Sequence, residues 1–149
     1  MTTETPFAAR SHHVSLSVAN LDAQQHWYEE VLGLHEEQRF DLPDPPVRTV
    51  LLRAHNGLRI ELIERAGSRR TEVFDDALDT SRGQGYGHWA LEVEDLEDVF
   101  AKLLGAGAQS VSAPAPAVQL GARFAYVKDP EGNLLELIQP PSGEPERPT

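Results

Sequence analysis

Apolar and polar residues alternate over residues 13–18, where Val14, Leu16 and Val18 interleave with His13, Ser15 and Ser17. That period of two belongs to a half-buried strand, and residues 88–93 repeat it. After the first strand, Asn20 offers a helix cap. The following LDAQQHWYEEVLG places Leu21, Tyr28, Val31 and Leu32 near one helical face, with Gly33 where a C-cap belongs. LEDVFAKLLGAG does the same with Leu96, Val99, Phe100 and Leu103. Pro-rich DLPDPP (41–46) and APAPA (113–117) read as turns closing a second strand in each half. Strands near 47–54 and 58–64, and near 121–127 and 133–138, follow, the last of each pair entered through Asn56-Gly57 or Glu131-Gly132.

The halves match each other. With a shift of 75 residues, His13, Leu16, Val18 and Leu21 fall on His88, Leu91, Val93 and Leu96, and Arg48 falls on Arg123. Gly57 falls on Gly132, and Glu61-Leu62-Ile63 on Glu136-Leu137-Ile138, without a gap in the offset. A fixed internal period signals duplication. The order strand, helix, three strands therefore predicts two βαβββ modules, residues 11–65 and 86–140, joined by a linker over 66–85. Residues 1–10 and 141–149 read as disordered tails. Neither module is large enough to bury a sufficient core alone, so the expected architecture is an α+β fold with one curved, eight-stranded mixed sheet.

Composition narrows the chemistry. With no cysteine, disulfide frameworks, zinc ribbons and thiol nucleophiles are excluded, and any metal must be held by His, Asp and Glu. The net charge of −11 would repel phosphate backbones and anionic lipid, so no nucleic-acid or membrane partner is expected. No stretch reaches a membrane-spanning length and the N-terminus lacks a signal-peptide pattern, so a soluble cytoplasmic protein is expected. Of 13 basic residues 11 are Arg, a composition that fits a GC-rich bacterial genome.

At polar positions the repeat conserves one His on the first strand of each half and one Glu on the last, 48 residues apart both times. His13 and Glu61 thus answer to His88 and Glu136. A pseudo-twofold axis could bring the four to a common point, and two imidazoles with two carboxylates suit one divalent ion: Ni, Zn, Co, Mn or Fe. A single strand Glu is ordinarily solvent-facing. Here Ile63 and, in the second half, Leu134 and Ile138 share the Glu face, and a carboxylate on a partly apolar wall needs a partner. His12 is a rival ligand, but its counterpart is Gly87 and alternation points it away from His13. His26, His35 and His55 match Ala101, Ser110 and Pro130 and read as surface residues. Arg48, Arg53, Arg123 and the linker arginines could grip an anionic handle, the surface role being the simpler reading.

The segments HHVSLSVANLDAQQHWYEEVLGL, RIELIE, GYGHWALEVEDL and KDPEGNLLELIQP resemble the vicinal oxygen chelate superfamily, the group of glyoxalases, bleomycin-resistance proteins and ring-cleaving dioxygenases. The resemblance spans about residues 11–140. It implies two βαβββ modules cupping a central divalent metal, held as in bacterial glyoxalase I by His13, Glu61, His88 and Glu136. It further implies a glyoxalase I-like lyase or isomerase acting on a small molecule, by removal of a proton next to a metal-polarised carbonyl, with Glu136 as general base and Glu61 as its partner. Many members are homodimers, and the cup closes within one chain in some and across two in others. Ser17 stands where Gram-negative glyoxalase I carries the Arg that grips glutathione, and Arg65 where it carries an Asn.

Three alternatives remain open on the sequence. GYGHWALEV and IELIE also resemble methylmalonyl-CoA epimerase. An Fe(II) oxygenase on an aromatic or polyketide substrate would use His88, Glu136 and one first-half ligand, with Trp89, Phe124 and Tyr126 as candidate pocket walls. A non-catalytic antibiotic-binding protein is the alternative outside enzymology.

Overall fold

In the computed structural model, which describes residues 8–142, the chain runs β1 (Val14–Ser17), α1 (Leu21–Leu32), β2 (His35–Pro43), β3 (Pro46–Arg53) and β4 (Arg59–Arg65). A short 3₁₀ turn at Asp79–Arg82 follows, then β5 (Trp89–Glu92), α2 (Leu96–Gly105), β6 (Gln109–Pro116), β7 (Arg123–Lys128) and β8 (Leu134–Gln139). Two βαβββ modules are therefore present. Their strands hydrogen-bond as two four-stranded sheets, ordered β1-β4-β3-β2 and β5-β8-β7-β6, with no ladder crossing from one module to the other among the described residues. The linker holds the 3₁₀ turn, which packs closely on the approach to β5: a Cβ at Gly87 would lie 2.9 Å from Thr80 Oγ1. Residues 1–7 and 143–149, most of the expected tails, lie outside the described residues.

The 75-residue shift carries through to hydrogen-bond register. Parallel β1 and β4 pair Val14 with Ile60 and Leu16 with Leu62, and β5 and β8 pair Trp89 with Leu135 and Leu91 with Leu137. Helix capping is duplicated too. Asn20 and Asp95 accept from Ala23 N and Asp98 N, while Glu64 and Gln139, near the ends of β4 and β8, accept from Leu21 N and Leu96 N. Each cap satisfies backbone donors that a helix start leaves unpaired. Gly57 and Gly132, with φ of 87° and 93°, supply the left-handed turn residue that each last strand needs.

The Pro-rich stretches do not merely end strands. Pro43 and Pro46 close the β2–β3 hairpin, and β6 runs through to Pro116. β2 and β6 are the outer strands of their sheets, where a missing N–H costs no ladder bond. The turn expected in 41–46 is present at Asp44-Pro45, while the expectation of a turn over 113–117 is corrected, since β6 continues to Pro116.

The core forms where one face of each sheet meets its helix. Val50, Leu52, Ile60 and Leu62 bury against Leu21 and Tyr28, and Ala125, Val127, Leu135 and Leu137 against Leu96 and Leu103, all within one apolar cluster. Side chains alternate along a strand, so Glu61 and Glu136 occupy the opposite, helix-free faces.

The modules are locked together by polar groups. Asp129, fully buried, accepts from Tyr28 OH at 2.8 Å, Gln24 Nε2 at 2.9 Å and Asn133 Nδ2 at 2.7 Å, as well as from two amides of its own turn. Glu131 accepts from Ala19 N and Asn20 N, and Trp27 Nε1 donates to Ala106 O. Burial and the Asp129 carboxylate push the Tyr28 phenol well above its usual pKa, so it remains a donor. Asp129→Ala would strand several buried donors, at an expected cost on the order of 3–5 kcal/mol, read from the urea midpoint. Tyr28→Phe should cost about 1–2 kcal/mol.

Candidate functional site

Two His–Glu pairs form, one on each sheet. His13 precedes β1 and its Nε2 lies 3.5 Å from Glu61 Oε2; His88 precedes β5 and its Nε2 lies 2.8 Å from Glu136 Oε2. In register the carboxylates stand opposite Ser15 and Ala90, whose small side chains leave room for them. The side chains of Glu61 and Glu136 are 19% and 16% exposed, which makes them accessible to a small molecule yet shielded from bulk water.

The second pair sits on an aromatic wall. Tyr126 is the register partner of Glu136 and Phe124 that of Ile138. The Tyr126 ring meets His88 edge-on at 5.3 Å and Phe124 at 5.7 Å. Burial and the neighbouring Glu136 push the Tyr126 phenol up to about 12, so it faces the carboxylate as a neutral hydroxyl. Trp89 has the opposite parity, packing against the core and along the β5 edge.

The expected four-residue cluster does not assemble within the chain: among the described residues no three of His, Asp and Glu come together in a metal-holding group. The half-sites lie on the helix-free faces of two sheets joined through the Asp129 lock. His13 and His88 do line a common cavity of about 510 Å³ between β1 and β5, with Arg70, Phe74, Tyr86 and Trp89.

His12 departs from expectation. Instead of pointing away, its Nδ1 lies 2.7 Å from His13 Nδ1, because residue 12 precedes the strand and is free of its alternation. With Nδ1 so engaged, Nε2 is the nitrogen that His13 turns to Glu61. The other histidines behave as surface residues: His26 lies 4.0 Å from Glu30, and the exposed His35 and His55 rings pair at 5.7 Å.

Most of the candidate arginines are occupied. Arg48 reaches Asp22 at 2.8 Å and its counterpart Arg123 reaches Glu97, each tying a strand to a helix start. Arg53 and Arg59 share Glu37, holding its carboxyl down to about 2. The repeated Arg48/Arg123 is thus a clamp between strand and helix, and the sequence signal for it was the repeated acid at 22 and 97.

The family model described as the Glyoxalase/Bleomycin resistance protein/Dioxygenase superfamily matches residues 10–137. The chain belongs to that superfamily. Within it, a probable lactoylglutathione lyase of Synechocystis sp. is 28% identical over 127 residues, covering 85% of this chain and 92% of that one. An ethylmalonyl-CoA/methylmalonyl-CoA epimerase of Cereibacter sphaeroides is 29% identical over 137 residues, covering 87% and 97%. Among solved structures, a glyoxalase family protein from Enterococcus faecalis superposes with a TM-score of 0.73 at 22% identity, covering 87% of this chain and 96% of that one. Members of this superfamily with the glyoxalase fold thus share both the sheet architecture and nearly the full length of the chain.

Proposed function

We propose that the protein is a metal-dependent, glyoxalase I-like lyase or isomerase, active as a homodimer, that abstracts a proton from carbon next to a carbonyl. The observation that carries this reading is the duplicated His–Glu pair, at 2.8 and 3.5 Å on equivalent positions of two modules. Neighbouring ligands of an octahedral ion bound at about 2.1 Å lie about 3 Å apart, so each pair already has the spacing and donor chemistry of half a coordination shell. His13 and Glu61 would hold a divalent ion (Ni, Zn, Co, Mn or Fe) with the partner subunit's His88 and the partner subunit's Glu136. Bound there, the ion would act as a Lewis acid toward the substrate carbonyl.

A second copy is invoked because the modules cannot swing together without breaking the buried Asp129 network. The faces carrying the pairs are also open: β2 is exposed at all nine positions, Phe40 and Leu42 among them. A twofold dimer that stacks the first module of one copy on the second module of the other would cover both faces and complete two sites.

In the reaction Glu136 takes the proton from the carbon beside the carbonyl and returns it to the neighbouring carbon. Tyr126, held neutral, keeps a hydroxyl beside that carboxylate, and Phe124 with Ile138 shields it from water. The lyase and epimerase relatives both carry names compatible with such a proton transfer, so the substrate is an acyl or α-oxo compound joined to a thiol carrier.

The test is elemental analysis of the purified protein, then assay of a methylglyoxal–thiol hemithioacetal and of α-deuterium exchange in a branched acyl-CoA, before and after chelation. About one ion per chain, with turnover lost on chelation and restored by divalent metal, supports the reading. Metal-independent turnover, or full occupancy with neither activity, would reject it. Tyr126→Phe is expected to lower kcat several-fold with little change in KM, measured in the same assay.

A further inference from the structure

Arg70 is a linker arginine held by a neutral side chain and makes no ion pair among the described residues, in a chain with 24 acidic residues. Arg39, Arg48, Arg53, Arg59, Arg82 and Arg123 each pair with a carboxylate. Arg70 Nη2 donates instead to the neutral Asn133 Oδ1 at 3.1 Å. The direction of that amide is set from behind, because Asn133 Nδ2 is committed to the acceptor-only Asp129 at 2.7 Å. The buried lock thus presents a carbonyl to Arg70, orienting the guanidinium without neutralising it. The linker is pinned a second time, where Lys128 Nζ donates to Phe74 O.

The oriented cation lines the cavity of about 510 Å³ that also contains His13, His88, Trp89, Phe74 and Tyr86. A guanidinium with unused donors in a fixed plane matches a carboxylate in two-point contact, and the aromatic side chains offer apolar surface for what that carboxylate is attached to. We infer that Arg70 is a specificity-determining residue that binds a carboxylate of the substrate in the cavity between β1 and β5. This rests on the reading that the flanking His–Glu pairs carry the chemistry. The carboxylate has two possible sources, the peptide end of a thiol carrier or the free acid of a dicarboxylic acyl group.

Binding separates this inference from catalysis. Trp89 lines the cavity, so its fluorescence can report ligands without turnover. The probes are S-benzylglutathione against its diethyl ester, and malonyl-N-acetylcysteamine against acetyl-N-acetylcysteamine. One of the two acids is expected to bind at least tenfold more tightly than its uncharged analogue. That margin should vanish in Arg70→Gln, return in part in Arg70→Lys, and persist in Arg69→Gln and Glu136→Gln. The acid that shows the margin identifies the source of the carboxylate. Equal binding of acids and analogues by the wild type, or an undiminished margin in Arg70→Gln, would overturn the assignment. Loss of turnover in Glu136→Gln with the margin intact shows that the two readings stand separately.

Discussion

Glu136→Gln is expected to lower kcat by about 10²–10⁴-fold, the usual worth of a positioned general base, while leaving the unfolding midpoint nearly unchanged. The replacement is isosteric and lies on the helix-free face of β8, so no core contact is lost. The amide oxygen can still accept from His88 Nε2, which sits 2.8 Å from the carboxylate, and Tyr126 keeps a polar neighbour. The capacity to take a proton disappears, and the proposed metal ligand changes from a carboxylate to a neutral amide oxygen, so metal content is measured alongside kcat. Because that capacity matters in the transition state and not in binding, kcat and kcat/KM should fall together. Glu61→Gln provides the comparison. Its pair is looser, at 3.5 Å, and the wall around it has Leu51 as register partner where Glu136 has Tyr126. The expected loss is smaller by at least tenfold. A larger loss in Glu61→Gln than in Glu136→Gln would transfer the role of base to the first module.

The elements that sequence resolved were those governed by local periodicity and by the repeat. The shift of 75 located both modules and placed His13 with Glu61 and His88 with Glu136, and the strand registers obey the same shift. The prolines of β6 were misread because a proline pattern records a missing donor without saying whether a neighbour needs it, and only sheet order reveals that. His12 was misplaced because alternation was extended two residues before the start of β1. The convergence of four ligands was beyond reach for a different reason. It depends on how one module is set against the other, and that is decided by Asp129 receiving Tyr28 and Gln24 from a helix about a hundred residues away in sequence. In the sequence, DPEGN announces a turn; nothing in it announces the helix it receives. Arg70 was visible as one linker arginine among several; its hydrogen bond to Asn133 and its place in the cavity with His13 and His88 distinguish it.

The proposed dimer is tested directly by a mixing experiment. His13→Ala damages the first-module half-site and His88→Ala the second, and each variant alone should be inactive, since every site in either homodimer contains one lesion. When the two are mixed under conditions that exchange subunits, a mixed dimer collects both lesions in one site. The other site keeps His13 and Glu61 from the His88→Ala chain, and His88 and Glu136 from the His13→Ala chain. About half the dimers are mixed and one of their two sites is intact, so activity should recover to about a quarter of wild type. Mixing His13→Ala with Glu61→Ala should recover nothing, because both lesions fall in the same half-site and each mixed dimer carries one in either site. A cup closed within one chain gives no recovery from either mixture. Recovery in the first and none in the second requires that the two half-sites of each working centre come from different copies of the chain.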